Sequence, residues 1–169
     1  MIRFLVLTIF PVLVTYAAVS DLRTRRIPNW LNLSLFLSFF PVALLAGMPL
    51  EMIGWSLVAF AVTLAAGFAL FAFNVIGGGD AKMIPAVAVW IGWGEPLVAF
   101  LYYTALIGGL MAVGVLLWRV ISLEVGVWTS GSALKRIFNR EMNFPYGVPI
   151  AAGALAAFPQ SWWSGVLFG

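Results

Sequence analysis

Long apolar runs divided by short polar breaks constrain this chain more than any motif in it. Residues 4–20, 30–46, 53–75, 97–118 and 146–168 carry no charged side chain, and 81–93 is a sixth, shorter run whose one charge is Lys82. A helix needs about 20 apolar residues to cross the hydrocarbon core, with a usual range of about 17–25. Of the 169 residues, 63% are hydrophobic and 9% charged; soluble domains run near 45–50% and 25%. A water-soluble fold of this size has too much surface for its volume to hide so many apolar side chains. The expected fold is therefore all-α: one polytopic membrane domain spanning 1–169, with about six transmembrane helices and lipid as its solvent.

The breaks are of the kind that stop helices. Ser20-Asp21 with Arg23, Arg25 and Arg26 closes the first run, Gly47-Met48-Pro49 the second, and Gly77-Gly78-Gly79 the third, while Gly94-Glu95-Pro96 opens the fifth. The fourth run is too short to cross alone and is expected as a buried or broken helix. Pro149 and Pro159 interrupt the sixth. The first run is longer than a signal-peptide core of about 7–15 residues, and its main basic cluster follows it, so it reads as a span.

Charge gives the orientation. In a six-span arrangement, loops 21–29, 74–82 and 119–145 share one side. They hold Arg23, Arg25, Arg26, Lys82, Arg119, Lys135, Arg136 and Arg140, leaving only Arg3 opposite. The positive-inside rule makes these loops cytoplasmic and both termini external. The net charge of +3 is thus a topology signal and calls for no nucleic-acid partner. Residues 132–142, SALKRIFNREM, read as a short amphipathic helix on the inner leaflet. Trp90, Trp93, Trp162 and Trp163 fall near the outer boundary and read as an aromatic belt. Gly108, Gly109 and Gly114 suit close helix packing.

The chain has no Cys and no His. Thiolate nucleophiles, disulfides, Cys/His zinc sites and imidazole acid–base chemistry are excluded, and no residue pattern implies a cofactor or metal. Asp21 and Asp80 are the only aspartates. Two whole runs separate them, one out and one back, so both carboxylates return to the cytoplasmic face. Charged groups at membrane depth are costly and usually face a protein interior or an aqueous cavity. Two carboxylates at one site can share a proton, which supplies a base and an acid together. That is aspartyl-protease chemistry. Plainer readings stand beside it: Asp21 pairs with a neighbouring Arg, and Asp80 caps a helix starting at Ala81. A phosphate loop is not indicated, because GGGDAK lacks the GxxxxGK[ST] spacing.

Gly77-Gly78-Gly79-Asp80-Ala81-Lys82-Met83 resembles the GxGD motif of the type IV prepilin peptidases. Asp21 ahead of Ile27-Pro28-Asn29 resembles that family's other site, and Pro145-Tyr146-Gly147 resembles its entry to the final helix. The resemblance implies a membrane aspartyl protease that removes the basic leader of prepilins and pseudopilins at the cytoplasmic face of the inner membrane, in pilus assembly and protein secretion. It implies Asp21 and Asp80 as the catalytic pair. Gly77, Gly78 and Gly79 would give close backbone approach, with Lys82 and Tyr146 as supporting residues. Lys82 also suits a headgroup anchor, and Arg23, Arg25 and Arg26 read as topology determinants. Larger family members carry a cytoplasmic insertion with cysteine pairs and also N-methylate the product. Here the first cytoplasmic loop is short and cysteine is absent, which resembles the small type serving tight-adherence (Flp) pili and argues against a methyltransferase. Two other classes stand as alternatives. A proton-coupled transporter predicts acidic groups deep in the spans, whereas Asp and Glu here cluster at span ends and mid-span polar groups such as Ser56, Thr63 and Thr104 are few, which argues against it. A non-catalytic assembly subunit predicts that neither Asp matters.

Overall fold

The computed structural model describes residues 2–124 and 145–168, with backbone alone for 119–124 and Phe168. The amphipathic segment expected at 132–142 lies outside the described residues, as do Lys135, Arg136 and Arg140. Among the described residues every regular element is helical. Helix α1 spans Ile2–Thr24, α2 Asn29–Leu45, α3 Leu50–Ala72, α4 Gly78–Ile91, α5 Glu95–Glu124 and α6 Gly147–Ala157. A 3₁₀ turn at Phe158–Gln160 and a short α7, Trp163–Phe168, complete the described chain. Helices α1 and α3, and α5 over Glu95–Trp118, are long and apolar enough to cross a membrane. At about 1.5 Å per residue, α4 reaches only about 21 Å, short of the roughly 30 Å hydrocarbon core.

Helix α4 is the centre of the bundle. It packs against α2, α3 and α6, and more lightly against α5. Its residues Met83 and Pro85 to Ile91 are all buried. The expectation of a short buried fourth helix therefore matches the structure. Lipid offers little hydrophobic drive between helices, so close packing depends on small residues. Helix α3 buries Ser56, Ala59, Thr63 and Gly67. A Cβ on Gly67 would lie 3.0 Å from the Ala81 carbonyl oxygen, so α3 and α4 nearly touch backbone to backbone. Likewise α5 meets α6 where a Cβ on Gly153 would come 2.7 Å from the Thr104 amide nitrogen. Gly108 packs on Pro149, whereas Gly109 and Gly114 face open space.

An aromatic cluster fills the core away from the polar loops. Phe10 stacks on Phe158 at 4.5 Å between ring centroids, and Trp90 lies 5.4 Å from Phe10 and 5.3 Å from Trp163. This corrects the aromatic-belt reading for Trp90 and Trp163, which are 1% and 0% exposed. A buried indole N–H needs an acceptor. Trp90 Nε1 donates to the Leu35 carbonyl at 2.7 Å and Trp163 Nε1 to the Trp90 carbonyl at 2.8 Å. Trp93 stays exposed and stacks on Trp55.

Three helix ends differ from the sequence expectation, each for a local reason. Helix α1 continues past the apolar run to Thr24, which puts Asp21 inside its last turns. It closes where Arg25 takes a left-handed conformation (φ 56°) and donates its N–H to the Asp21 carbonyl at 2.9 Å. Ser20 and Thr24 hydroxyls then donate to the Arg26 carbonyl at 2.9 and 3.2 Å. Helix α4 begins at Gly78 with Gly77 as N-cap, so Asp80 is the third helical residue and not the cap itself. The expected single run 146–168 is broken, because Pro159 has no N–H to continue the ladder and sits in the tighter 3₁₀ turn.

Candidate active site

The two loops on either side of α2 and α3 converge with the start of α6 around a cavity of about 690 Å³. Asp21, Asp80, Gly77, Gly78, Gly79 and Tyr146 all line it, together with Arg25, Arg26, the Ile27–Asn29 turn and Phe71. The structure thus brings together six of the seven site residues expected from sequence. Lys82 does not line the cavity.

Asp21 is buried, at 7% exposure. Its Oδ2 accepts the Gly147 backbone N–H at 2.8 Å. Gly147 is the first residue of α6, where the N–H groups have no intrahelical acceptor and the helix dipole favours a negative charge. A Cβ at position 147 would come within 2.9 Å of both Asp21 Cβ and Oδ2, so only glycine fits. Sequence reasoning named Tyr146 but missed this residue. The available signal was a glycine entering a helix, where a free backbone donor is expected.

Asp80 lines the cavity from the first turn of α4, outside the three membrane-length helices. Its carboxyl titrates at about 7, well above the ordinary value of 3.8. Burial is the main cause and the negative charge of Asp21 the second, while a hydrogen bond from the Gly77 backbone N–H pulls the other way. A side chain at the third helical position reaching back to the N-cap amide is a common capping geometry. The two aspartates are therefore close enough for one carboxylate to influence the other's proton.

The glycines act through space, since none of the three has a positive φ. A Cβ on Gly77 would lie 3.0 Å from Asp80 Oδ2, and one on Gly78 3.3 Å from the Phe71 ring. A Cβ on Gly79 would make an ordinary 3.5 Å contact with Ile27. Lys82 Nζ donates to Asn29 Oδ1 at 3.0 Å, a protein partner where the sequence suggested a headgroup anchor. Arg25 and Arg26 face the cavity and Arg23 does not. Arg25 is near enough for its charge to act on the Asp21 carboxylate, and its Nη1 is buried without a hydrogen-bond acceptor among the described residues. Among the described residues, no three His, Cys, Asp or Glu side chains converge as metal ligands.

An apolar helical bundle with two carboxylates from separate helices on one cavity defines an integral membrane protein with an acidic pair at one end. The model of the type IV leader peptidase family matches residues 8–113, more than half of the chain, and the protein belongs to that family. The matched stretch includes both Asp21 and Asp80, while Tyr146 and Gly147 lie beyond it. No curated protein and no solved structure matches the chain.

Proposed function

We propose that this membrane peptidase is an aspartyl endopeptidase that removes the N-terminal leader of Flp-type prepilins and pseudopilins, with Asp21 and Asp80 as its catalytic pair. The observation that carries the reading is that both aspartates line one cavity and that the charge of Asp21 raises the proton affinity of Asp80.

In the reaction, a water lies between the two carboxyl groups and the scissile peptide carbonyl. The ionised carboxylate removes a proton from the water as its oxygen attacks the carbonyl carbon. The protonated partner gives its proton to the carbonyl oxygen, forming a neutral gem-diol. Collapse of that intermediate breaks the C–N bond, returns a proton to the pair and protonates the departing amine. Burial and the neighbouring Asp21 favour a protonated Asp80, which suits it as the acid in the attack step; Asp21, with Oδ2 fixed by the Gly147 N–H, is then the base.

The clustering of eight of the nine basic residues in loops 21–29, 74–82 and 119–145 supports a cytoplasmic site. A basic leader stays in the cytoplasm while the substrate's apolar segment lies beside the spans. Only residues 25–28 join α1 to α2, which supports the small, non-methylating type. The test is co-expression of a prepilin from the same organism with wild type, Asp21→Asn or Asp80→Asn, read by intact mass spectrometry. Leader loss with wild type alone supports the pair, and an added methyl on the product would contradict the small-type assignment. Leader loss with both variants would favour a non-catalytic assembly subunit.

A further inference from the structure

We infer that Lys82 and Asn29 form a positioning clamp that sets the spacing between Asp21 and Asp80; this rests on those aspartates being the catalytic pair. The backbones of helices α1 and α4 are not closely packed among the described residues; their side chains meet where Phe10 lies 5.4 Å from Trp90, in the aromatic core away from the cavity. Near the cavity their mutual position is relayed by other contacts. Gly147 of α6 holds Asp21 from one side. On the other side, the turn that follows Asp21 touches the segment carrying Asp80 at two points. Ile27 packs on Gly79, and Asn29 accepts the Lys82 ammonium at 3.0 Å. These contacts flank Asp80 in sequence.

The turn is stiff enough to transmit position. Its first end is tied to α1 by the Ser20 and Thr24 hydroxyls on the Arg26 carbonyl. Pro28 fixes its backbone at φ −61° directly before Asn29 opens α2. Holding Asn29 therefore holds the end of α1 where Asp21 stands. Lys82 acts through this turn and not by facing Asp80, since residues two apart on a helix project to different sides and Lys82 lies off the cavity. A headgroup anchor would need no particular acceptor at position 29. A clamp does.

The test uses the full-length protein in liposomes with a leader-bearing prepilin, comparing kcat and KM for wild type, Lys82→Met, Asn29→Ala, the double variant, Lys82→Arg, and the swap Lys82→Asn with Asn29→Lys. Asp80→Asn is the activity control. Small displacements of reacting groups are costly, so Lys82→Met should lower kcat about tenfold with KM within about twofold. Asn29→Ala should do the same, and the double variant should be no worse than either single change, as expected for partners in one contact. Lys82→Arg and the swap should recover most of the rate. Lys82 is exposed, so its substitution leaves the packed core untouched. Full activity in Lys82→Met, or multiplied losses in the double variant, would overturn the clamp while leaving the aspartate pair standing. Wild-type cleavage by Asp80→Asn would refute the pair itself and the inference with it.

Discussion

Replacing Gly147 with alanine tests how Asp21 is held, and the structure sets the size of the effect. The added Cβ would lie 2.9 Å from Asp21 Cβ and Oδ2 and 3.2 Å from Cγ, closer than carbon atoms pack. Either the carboxylate swings away or the start of α6 retreats, and both break the 2.8 Å bond from the Gly147 N–H. The bond is strongest to ionised Asp21, before that carboxylate takes its proton, so its loss acts on the rate by letting the base move out of place. Misplacing a catalytic group by about 1 Å costs about 100-fold in kcat. The assay is single-turnover cleavage of a leader-bearing prepilin by enzyme in liposomes. Gly109→Ala is the control, because a Cβ there meets nothing within 4 Å and alanine suits a helix better than glycine by about 1 kcal/mol. Gly109→Ala should keep full activity. If Gly147→Ala cleaves within about threefold of wild type, the Gly147–Asp21 bond does not matter to the reaction and the argument for it fails.

The site's electrostatics and backbone set three further outcomes. Asp80 titrates at about 7 when folded, against 3.8 unfolded, so the folded protein keeps a proton that the unfolded chain releases. That stabilisation is full below the unfolded value and is lost as pH rises through about 7; Asp80→Asn should therefore flatten the fall in thermal stability across this window. If Asp80 is the proton donor, kcat/KM should decline on an alkaline limb centred near pH 7, and a limb centred above about pH 9 would contradict the assignment. Arg25 holds a left-handed conformation at φ 56°, which costs a residue with a Cβ about 1–2 kcal/mol. Arg25→Gly and Arg25→Ala lose the same guanidinium, so the glycine variant should melt about 2–8 °C higher. Equal melting temperatures would mean that the turn relaxes once the arginine is gone.

Much of this architecture is written in the sequence because lipid makes its demands in bulk. Every span must be apolar along its length, so the helices are visible as runs, and the rare carboxylates stand out against them. Hydropathy marks where lipid ends, though, and not where the hydrogen-bond ladder ends. Helix α1 runs on through Leu22, Arg23 and Thr24, and α4 starts within the glycines, so both aspartates lie on helices and not beside them. Trp90 and Trp163 were misread because an indole suits an interface or a core equally well. Only the carbonyls of Leu35 and Trp90, brought near by the fold, show that these two are core residues. Gly147 and Asn29 stand in the motifs but were given no role of their own, for a related reason. One acts through its backbone N–H and the other through a partner 53 positions away, and a local motif does not name either partner.

The central claim is that one site needs both carboxylates. Purified wild type, Asp21→Asn, Asp80→Asn and the double variant, each in liposomes with a leader-bearing prepilin, test it directly through the single-turnover cleavage rate. Residues that act as a unit lose their effect together, so each single variant should fall by about 10³-fold or more and the double variant should be no slower than the worse single. If either single variant keeps more than about a tenth of the wild-type rate, or if the two losses multiply, the carboxylates do not work as a pair and the account is wrong.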